Sequence, residues 1–336
     1  MRSPRRDRGV ALILALLVLV ILILLVGQMT ITSVHNRSVA RNATSSLQNE
    51  YGVLAGHRQA MLRIEADGER TPETDSLGDA WAAPFAFQLG NAQVTGRITD
   101  AERKLNLSGL VNAEGEAQQP AIDQLVRLLR VLGHEPVENA ARIADYVDTD
   151  TEGPFEAGAR NGPLFDLQEL QRIEGLRREV LFGDGALRGI LPFVTVWPKG
   201  AALKINPNTA PVEVLQSLDD EITPEVAQAI IARRGELDKD GHLRSYAKPE
   251  DLLDVGGLTQ EILTRFQGTL TFRADVFEIR VTSSTFEVVR KEIYVVGRPG
   301  AGEPGQSPES PVGTEFTLLA SMREHEYFDL KPPEEQ

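Results

Sequence analysis

The chain has 336 residues, 41% of them hydrophobic, which is room for more than one packed unit. Its 49 Asp and Glu against 35 Lys and Arg give a net charge of −14, which argues against a nucleic-acid surface or a body that lies on anionic lipid. There is no cysteine, so disulfides and cysteine nucleophiles are excluded, and His35, His57, His134, His242 and His325 sit in unrelated contexts, so no enzyme is visible.

Residues 1–9, MRSPRRDRG, set Arg2, Arg5, Arg6 and Arg8 against Asp7 and end at Gly9. Val10–Val26 follows as 17 consecutive apolar residues. As a helix this run is about 25 Å long, close to a hydrocarbon core once flanking residues are added. The arginines hold the leader on the cytoplasmic side and send the rest of the chain across. The expected topology is a single membrane pass with the C-terminal domain on the far side. Gly27-Gln28-Met29 offers no small-x-small cleavage site, which disfavours an ordinary signal peptide. A plain anchor and a prepilin-type leader cut between Gly9 and Val10 both fit.

From Val10 to Ala66 there is no proline, and the pattern predicts one helix about 85 Å long. Beyond Gln28 it turns amphipathic, with Leu47, Tyr51, Leu54, Arg58, Met61 and Leu62 at three- and four-residue spacing. The upper part of this stripe is expected to pack on the chain's own strands. Asp67-Gly68 and Thr71-Pro72 end the helix. Thr71–Ala83 reads as a loop. Phe85–Leu89 and Ala92–Thr99, separated by Gly90-Asn91, read as a hairpin.

Helices are predicted over Ala121–Leu132, Val137–Val147 and Phe165–Ile173, then a short strand over Phe193–Trp197. A second helical stretch opens at Ile205 and continues over Val212–Leu218, Pro224–Arg234 and Pro249–Val255. Strands follow over Gly268–Ser283 and Thr285–Val296, with Ser283-Ser284 as the turn. Gly297–Gly313 is a Pro/Gly/Ser/Glu loop, Glu315–Ala320 a last strand, and Lys331–Gln336 an acidic tail.

The two helical stretches read as copies of one unit. Leu105-Asn106-Leu107 opens the first as Ile205-Asn206-Pro207 opens the second, and Phe165–Leu176 closes one as Tyr246–Leu258 closes the other. The second also resembles a helix-hairpin-helix unit, in which a Gly-apolar-Gly turn presents amides to phosphate. Here that turn is Asp219-Asp220-Glu221-Ile222-Thr223, with no glycine, which argues against a membrane-anchored DNA receptor and leaves no nucleic acid among the expected partners. Asp145, Asp148, Asp150 and Glu152, followed by Gly153-Pro154, form the one candidate metal site. Hard oxygen ligands in a turn suit Ca²⁺, although the spacing is not that of an EF-hand and a solvated acidic loop is the other reading.

In order along the chain, the Gly9/Val10 junction, Asp145–Asp150, Asn161-Gly162-Pro163-Leu164, Phe193–Trp197, Ile205–Pro211 and the strand running into Met322-Arg323-Glu324 make the sequence resemble the general secretion pathway protein K family, the large minor pseudopilin of type II secretion. A type IV pilus minor pilin is the alternative of similar build. The resemblance implies an α+β fold, with a long N-terminal transmembrane helix, a pilin-like antiparallel sheet and an inserted, internally duplicated helical domain. Its parts would be a leader over 1–9, a membrane segment over 10–31, a periplasmic helix over 32–66, sheet over 67–104 and 268–325, the insertion over 105–267 (modules 105–192 and 205–267) and a tail over 326–336. It further implies processing by prepilin peptidase, other minor pseudopilins and the major pseudopilin as partners, a place at the filament tip, and calcium in the helical domain, where Arg160 stands at a position expected to be a carboxylate. Leu14, the fifth residue after the proposed cut, replaces the glutamate common in pilins, as suits a subunit with no neighbour above it to offer an amine.

Overall fold

The computed structural model describes residues 5–237, 239, 241, 243–286, 288–298 and 316–323, with residues 5–9 as backbone only. A single helix, α1 (Arg5–Gly68), runs for 64 residues. It is the one described helix long and apolar enough to cross a membrane. Where the apolar run gives way to polar residues, Thr30 and Thr32 return their hydroxyls to the carbonyls of Val26 and Gln28, at 2.8 and 2.9 Å, so those two donors are met within the helix.

The upper part of α1 lies on a five-stranded antiparallel sheet of order β1-β2-β5-β6-β7, built from β1 (Phe85–Leu89), β2 (Ala92–Asp100), β5 (Val276–Thr285), β6 (Val288–Gly297) and β7 (Thr317–Arg323). The face α1 buries is not the expected apolar stripe. Leu47, Tyr51, Leu54 and Leu62 are 45–60% exposed, and of that stripe only Met61 is buried. Ser45, Asn49, Gly52, Val53, Gly56, Ala60 and Ile64 face the sheet instead. The reason is distance. A Cβ on Gly52 would stand 2.1 Å from Ser283 Oγ, and one on Gly56 would stand 2.4 Å from Val281 Cγ1. Helix and sheet therefore approach through missing side chains, and the large apolar residues are left on the opposite face.

Asn49 completes that contact. Its Nδ2 donates to the carbonyl of Val288 at 2.8 Å, and its Oδ1 accepts from Ser283 and Thr285 at 3.1 and 2.6 Å. This corrects the expected Ser283-Ser284 turn: both residues sit inside the β5–β6 ladder, opposite Arg290 and Val289, because Ser283 has a buried partner on α1. The turn falls further on, where Phe286 adopts φ 53°.

Residues 101–275 interrupt the sheet between β2 and β5, which pair directly from Gln93↔Ser284 to Asp100↔Phe277. The insertion has its own core, formed by β3 (Leu105–Asn106), α2 (Gln119–Val131), α3 (Pro136–Val147), α4 (Arg178–Phe182), β4 (Val194–Thr195), α5 (Val212–Gln216), α6 (Pro224–Arg234) and α7 (Gln260–Phe266). The segments expected as helices at Phe165–Ile173 and Pro249–Val255 are 3-10 turns over Leu167–Arg172 and Pro249–Asp254, stopped by Gly175 and Gly257 at positive φ. The short α4 and α7 escape periodicity altogether. The strand expected from Gly268 starts only at Val276, because the backbone before it is committed to Ile205: Ile205 N donates to Thr269 O at 2.8 Å and Thr271 N to Ile205 O at 3.0 Å. Most of the loop after Gly297 and the whole acidic tail lie outside the described residues.

Both halves of the insertion close alike. Leu105 pairs in parallel with Val194, as Ile205 does with Leu270. Asn106 and Asn206 each accept from the amide two residues on, at 3.0 Å. Glu169 and Asp251 each accept from the amide four residues back, at 2.7 and 2.8 Å.

A buried polar seam ties the insertion to the sheet. Asp100 Oδ2 accepts from Asn206 Nδ2 at 2.9 Å and Thr209 Oγ1 at 2.6 Å, while Asn206 Nδ2 also donates to the Asp75 carbonyl at 3.0 Å. Asp75 in turn holds Arg298 through two bonds of 2.8 and 2.9 Å. The helix–sheet contact is testable by volume. Gly52→Ala is expected to cost about 1–3 kcal/mol through overpacking, read as a lowered Tm by circular dichroism in detergent, whereas Gly27→Ala, with nothing within 4 Å, does not lower Tm.

Candidate functional site

Two surfaces carry the chemistry: an apolar helix face and an acidic loop. Val10 and Leu14 are exposed on α1, and Gly9 is part of the same helix. Above them Leu47, Tyr51, Leu54 and Leu62 stand on the side of α1 turned away from the sheet. A helix covered on one side by its own sheet and bare and apolar on the other is built to pack against further helices.

The acidic loop follows α3. Of the four expected ligands, Asp148 and Asp150 come together, and their partner is Glu156. One carboxylate oxygen from each of these three lies within 4.8 Å of the others. That span fits a single cation with oxygen ligands about 2.3–2.6 Å away. Asp145 and Glu152 lie outside the trio. Asp145 Oδ2 instead accepts from the Phe155 amide at 2.9 Å, and Gly153 is needed there, since a Cβ would stand 2.4 Å from that oxygen. Glu152 contributes its amide, which donates to Asp150 Oδ1 at 2.7 Å. The chain folds back at Gly153-Pro154 and so swings Glu156 in. Alternation along the sequence could not reveal this, but a Gly-Pro pair followed by a carboxylate marks such a reversal.

Asn161, at φ 52°, locks the return by donating to the Asp150 carbonyl at 2.6 Å and to Glu156 Oε2 at 3.3 Å. Arg160 does not enter the trio. It pairs with Glu169 and stacks 3.8 Å over Phe165. Asp148 Oδ1 and Glu156 Oε1 are buried with no hydrogen-bond partner among the described residues. Burial and the neighbouring Asp150, Glu156 and Asp145 push the Asp148 carboxyl up to about 6. Buried, unpartnered carboxylate oxygens that repel one another fit a hard cation.

A second acidic group, Asp67, Asp75 and Asp79, is of a different kind, because Arg298 already holds Asp75. Asp79 accepts from the Ser76 amide and hydroxyl at 2.6 and 3.0 Å, and Asp67 accepts from Thr71 at 3.3 Å. The acidic hairpin of the second module is also neutralised from within. Arg265 reaches Asp219 at 2.8 Å and Glu221 at 2.5 Å, and Arg130 reaches Asp220 at 2.7 Å. No amide-lined phosphate cradle forms there.

A membrane-length helix laid on an antiparallel sheet, with the sheet interrupted by a helical unit, defines a pilin-like subunit with an insertion. Family models for type II secretion system (T2SS) protein K match residues 103–199 and 205–272. The type II secretion system protein K of Pseudomonas aeruginosa is 32% identical over 255 residues, covering 69% of this chain and 73% of that one. That of Pectobacterium carotovorum subsp. carotovorum is 26% identical and covers 85% and 92%. A chain of the GspK-GspI-GspJ complex from the enterotoxigenic Escherichia coli Type 2 Secretion System superposes with a TM-score of 0.64 at 17% identity, covering 84% of this chain and 98% of that one. The chain belongs to the type II secretion system protein K family.

The Asp67 group yields a pH prediction. Burial, then Asp79 and Asp75, raise Asp67 from 3.8 to about 6. The stability it contributes is therefore full below pH 3.8 and lost as pH rises through about 6. Asp67→Asn is expected to raise Tm at neutral pH and to flatten the fall in Tm across that window, as followed by thermal melts at a series of pH values.

Proposed function

We propose that this chain is a minor pseudopilin that sits at the tip of the periplasmic pseudopilus and nucleates its assembly for protein export, acting as a structural part and not as an enzyme. The observation that carries this reading is the two-sided helix α1, whose sheet-facing stripe of small residues is buried while Leu47, Tyr51, Leu54 and Leu62 stay bare. Below them every large apolar residue from Val10 to Val34 is exposed as well. Such a helix needs neighbours of similar length, and a membrane and a bundle of pseudopilin helices supply them at successive heights. The related chain that superposes on this one occurs in a complex with GspI and GspJ. Equivalent minor pseudopilins, with the major pseudopilin beneath them, are the partners that fit this face.

Leu14 sets the place in the stack. A carboxylate in hydrocarbon needs an amine to pair with, and a subunit with nothing above it has none. The leader 1–9 would be removed by prepilin peptidase between Gly9 and Val10, in the inner membrane, leaving α1 on the mature chain with the sheet and insertion in the periplasm. Mass spectrometry of the membrane-extracted protein is expected to find Val10 at the amino terminus, and Gly9→Val to leave the leader in place. A full-length wild-type chain would overturn the pilin reading. Leu54→Glu is expected to abolish co-purification with two smaller pseudopilins while leaving Tm unchanged. A stable homo-oligomer with no ternary complex would overturn the tip assignment.

Asp148, Asp150 and Glu156 are the residues that would hold Ca²⁺ in the insertion. When bound, it would neutralise their mutual repulsion and satisfy the two buried oxygens, fastening the loop to the end of α3. Calcium is expected to raise Tm of the intact chain in detergent by several degrees, and Asp148→Asn to remove that rise. Glu152→Gln, outside the trio, is expected to retain it. Equal melting with and without calcium would leave an acidic loop and nothing more.

A further inference from the structure

We infer that Arg37 and Arg41 bind anionic phospholipid headgroups of the leaflet from which α1 emerges, in the corner between the helix shaft and the underside of the sheet. The inference rests on reading α1 as membrane-spanning.

The charge pattern around this corner is one-sided. Between Arg8 and Glu50 the chain has no Asp or Glu, and Arg37 and Arg41 are the only Lys or Arg in that stretch. They are four residues apart, so they share one face of the helix, and both are exposed. All carboxylates other than Asp7 lie from Glu50 onward in the chain. An anionic bilayer therefore repels the head and attracts only this collar.

Height agrees with charge. Val10–Ile31 is about 33 Å long as a helix, against a hydrocarbon core of about 30 Å. Arg37 then stands about 9 Å beyond the core and Arg41 about 15 Å. The headgroup layer is about 5–8 Å thick on each side, so Arg37 reaches it directly with its long stem. Arg41 is within about one further Debye length, and a helix tilt of about 20° toward the sheet side brings it closer.

The corner is also shaped. The Arg41 guanidinium lies 4.0 Å over the ring of Phe286, the residue at φ 53° in the β5–β6 turn. Stacking uses the face of the guanidinium and leaves its in-plane N–H donors for a phosphate. Phe286 is 66% exposed, in the turn at the end of the sheet nearest the membrane segment, and Asn91 lines the same surface.

The absence of cysteine makes the test direct. The full chain carrying Ser38→Cys with a spin label is reconstituted into nanodiscs of phosphatidylcholine alone or of phosphatidylcholine with phosphatidylglycerol. Collision with a water-soluble nickel chelate is then measured at that label. The expected result is a several-fold lower nickel accessibility in the anionic discs, lost in high NaCl and lost in Arg37→Gln/Arg41→Gln. Equal accessibility in both lipids, or a lipid effect that survives the double substitution, overturns the inference and shows that the collar faces another partner. A second label at Leu19→Cys reports insertion by its exposure to oxygen. If it is open to nickel instead, the membrane-spanning reading fails and this inference fails with it, whereas normal insertion without lipid dependence overturns this inference alone.

Discussion

The close approach of α1 to β5 is the contact on which the rest of the molecule depends. Gly52 and Gly56 remove the side chains that would hold helix and sheet apart, and Asn49 supplies the hydrogen bonds that fix their register along the helix. Small residues at a helix–sheet contact gain dispersion energy from backbone proximity and not from bulk. The consequence is functional. Because the sheet takes the small residues, Leu47, Tyr51, Leu54 and Leu62 remain outside, and the same helix that completes the core also presents an apolar face along its length.

The insertion is held to this frame by polar groups. Asp100, Asn206 and Thr209 are buried together, and Asp75 with Arg298 closes the same seam. Burial raises Asp100 above the ordinary carboxylate range and raises Glu102 further, with Asp100 adding to the effect. Glu102 accepts from the amides of Asp275 and Val276 at 3.2 and 3.4 Å, so its carboxyl sits where the insertion rejoins the sheet. A seam of directional bonds fixes an angle between two units in a way an apolar contact does not. The Asn206-Pro207-Asn208-Thr209 opening of the second module serves this seam.

The two carboxylate clusters show how context divides one chemistry. Asp75 meets a guanidinium, so its cluster is a structural ion pair with strained neighbours. Asp148 and Glu156 keep buried oxygens with no partner among the described residues, which is the basis for proposing a cation there. Number and proximity of acids are the same in both, and the presence or absence of Arg298 makes the difference.

The sequence by itself determined the anchor, the length of α1, the β1–β2 hairpin, helices α2, α3, α5 and α6, the two-fold repeat of the insertion and the family. These follow from runs, periodicity and punctuation that neighbouring residues impose on one another. Only the tertiary structure decided which face of α1 is covered, that Ser283 and Ser284 lie within a strand, that Glu156 stands close to Asp148 and Asp150, and that Arg160 pairs with Glu169. The first two depend on partners far apart in the chain, Asn49 with Ser283 and Gly52 with β5, and the last two on a loop reversed at Gly153. Periodicity tells which residues share a face. It does not tell which face a glycine allows a sheet to reach.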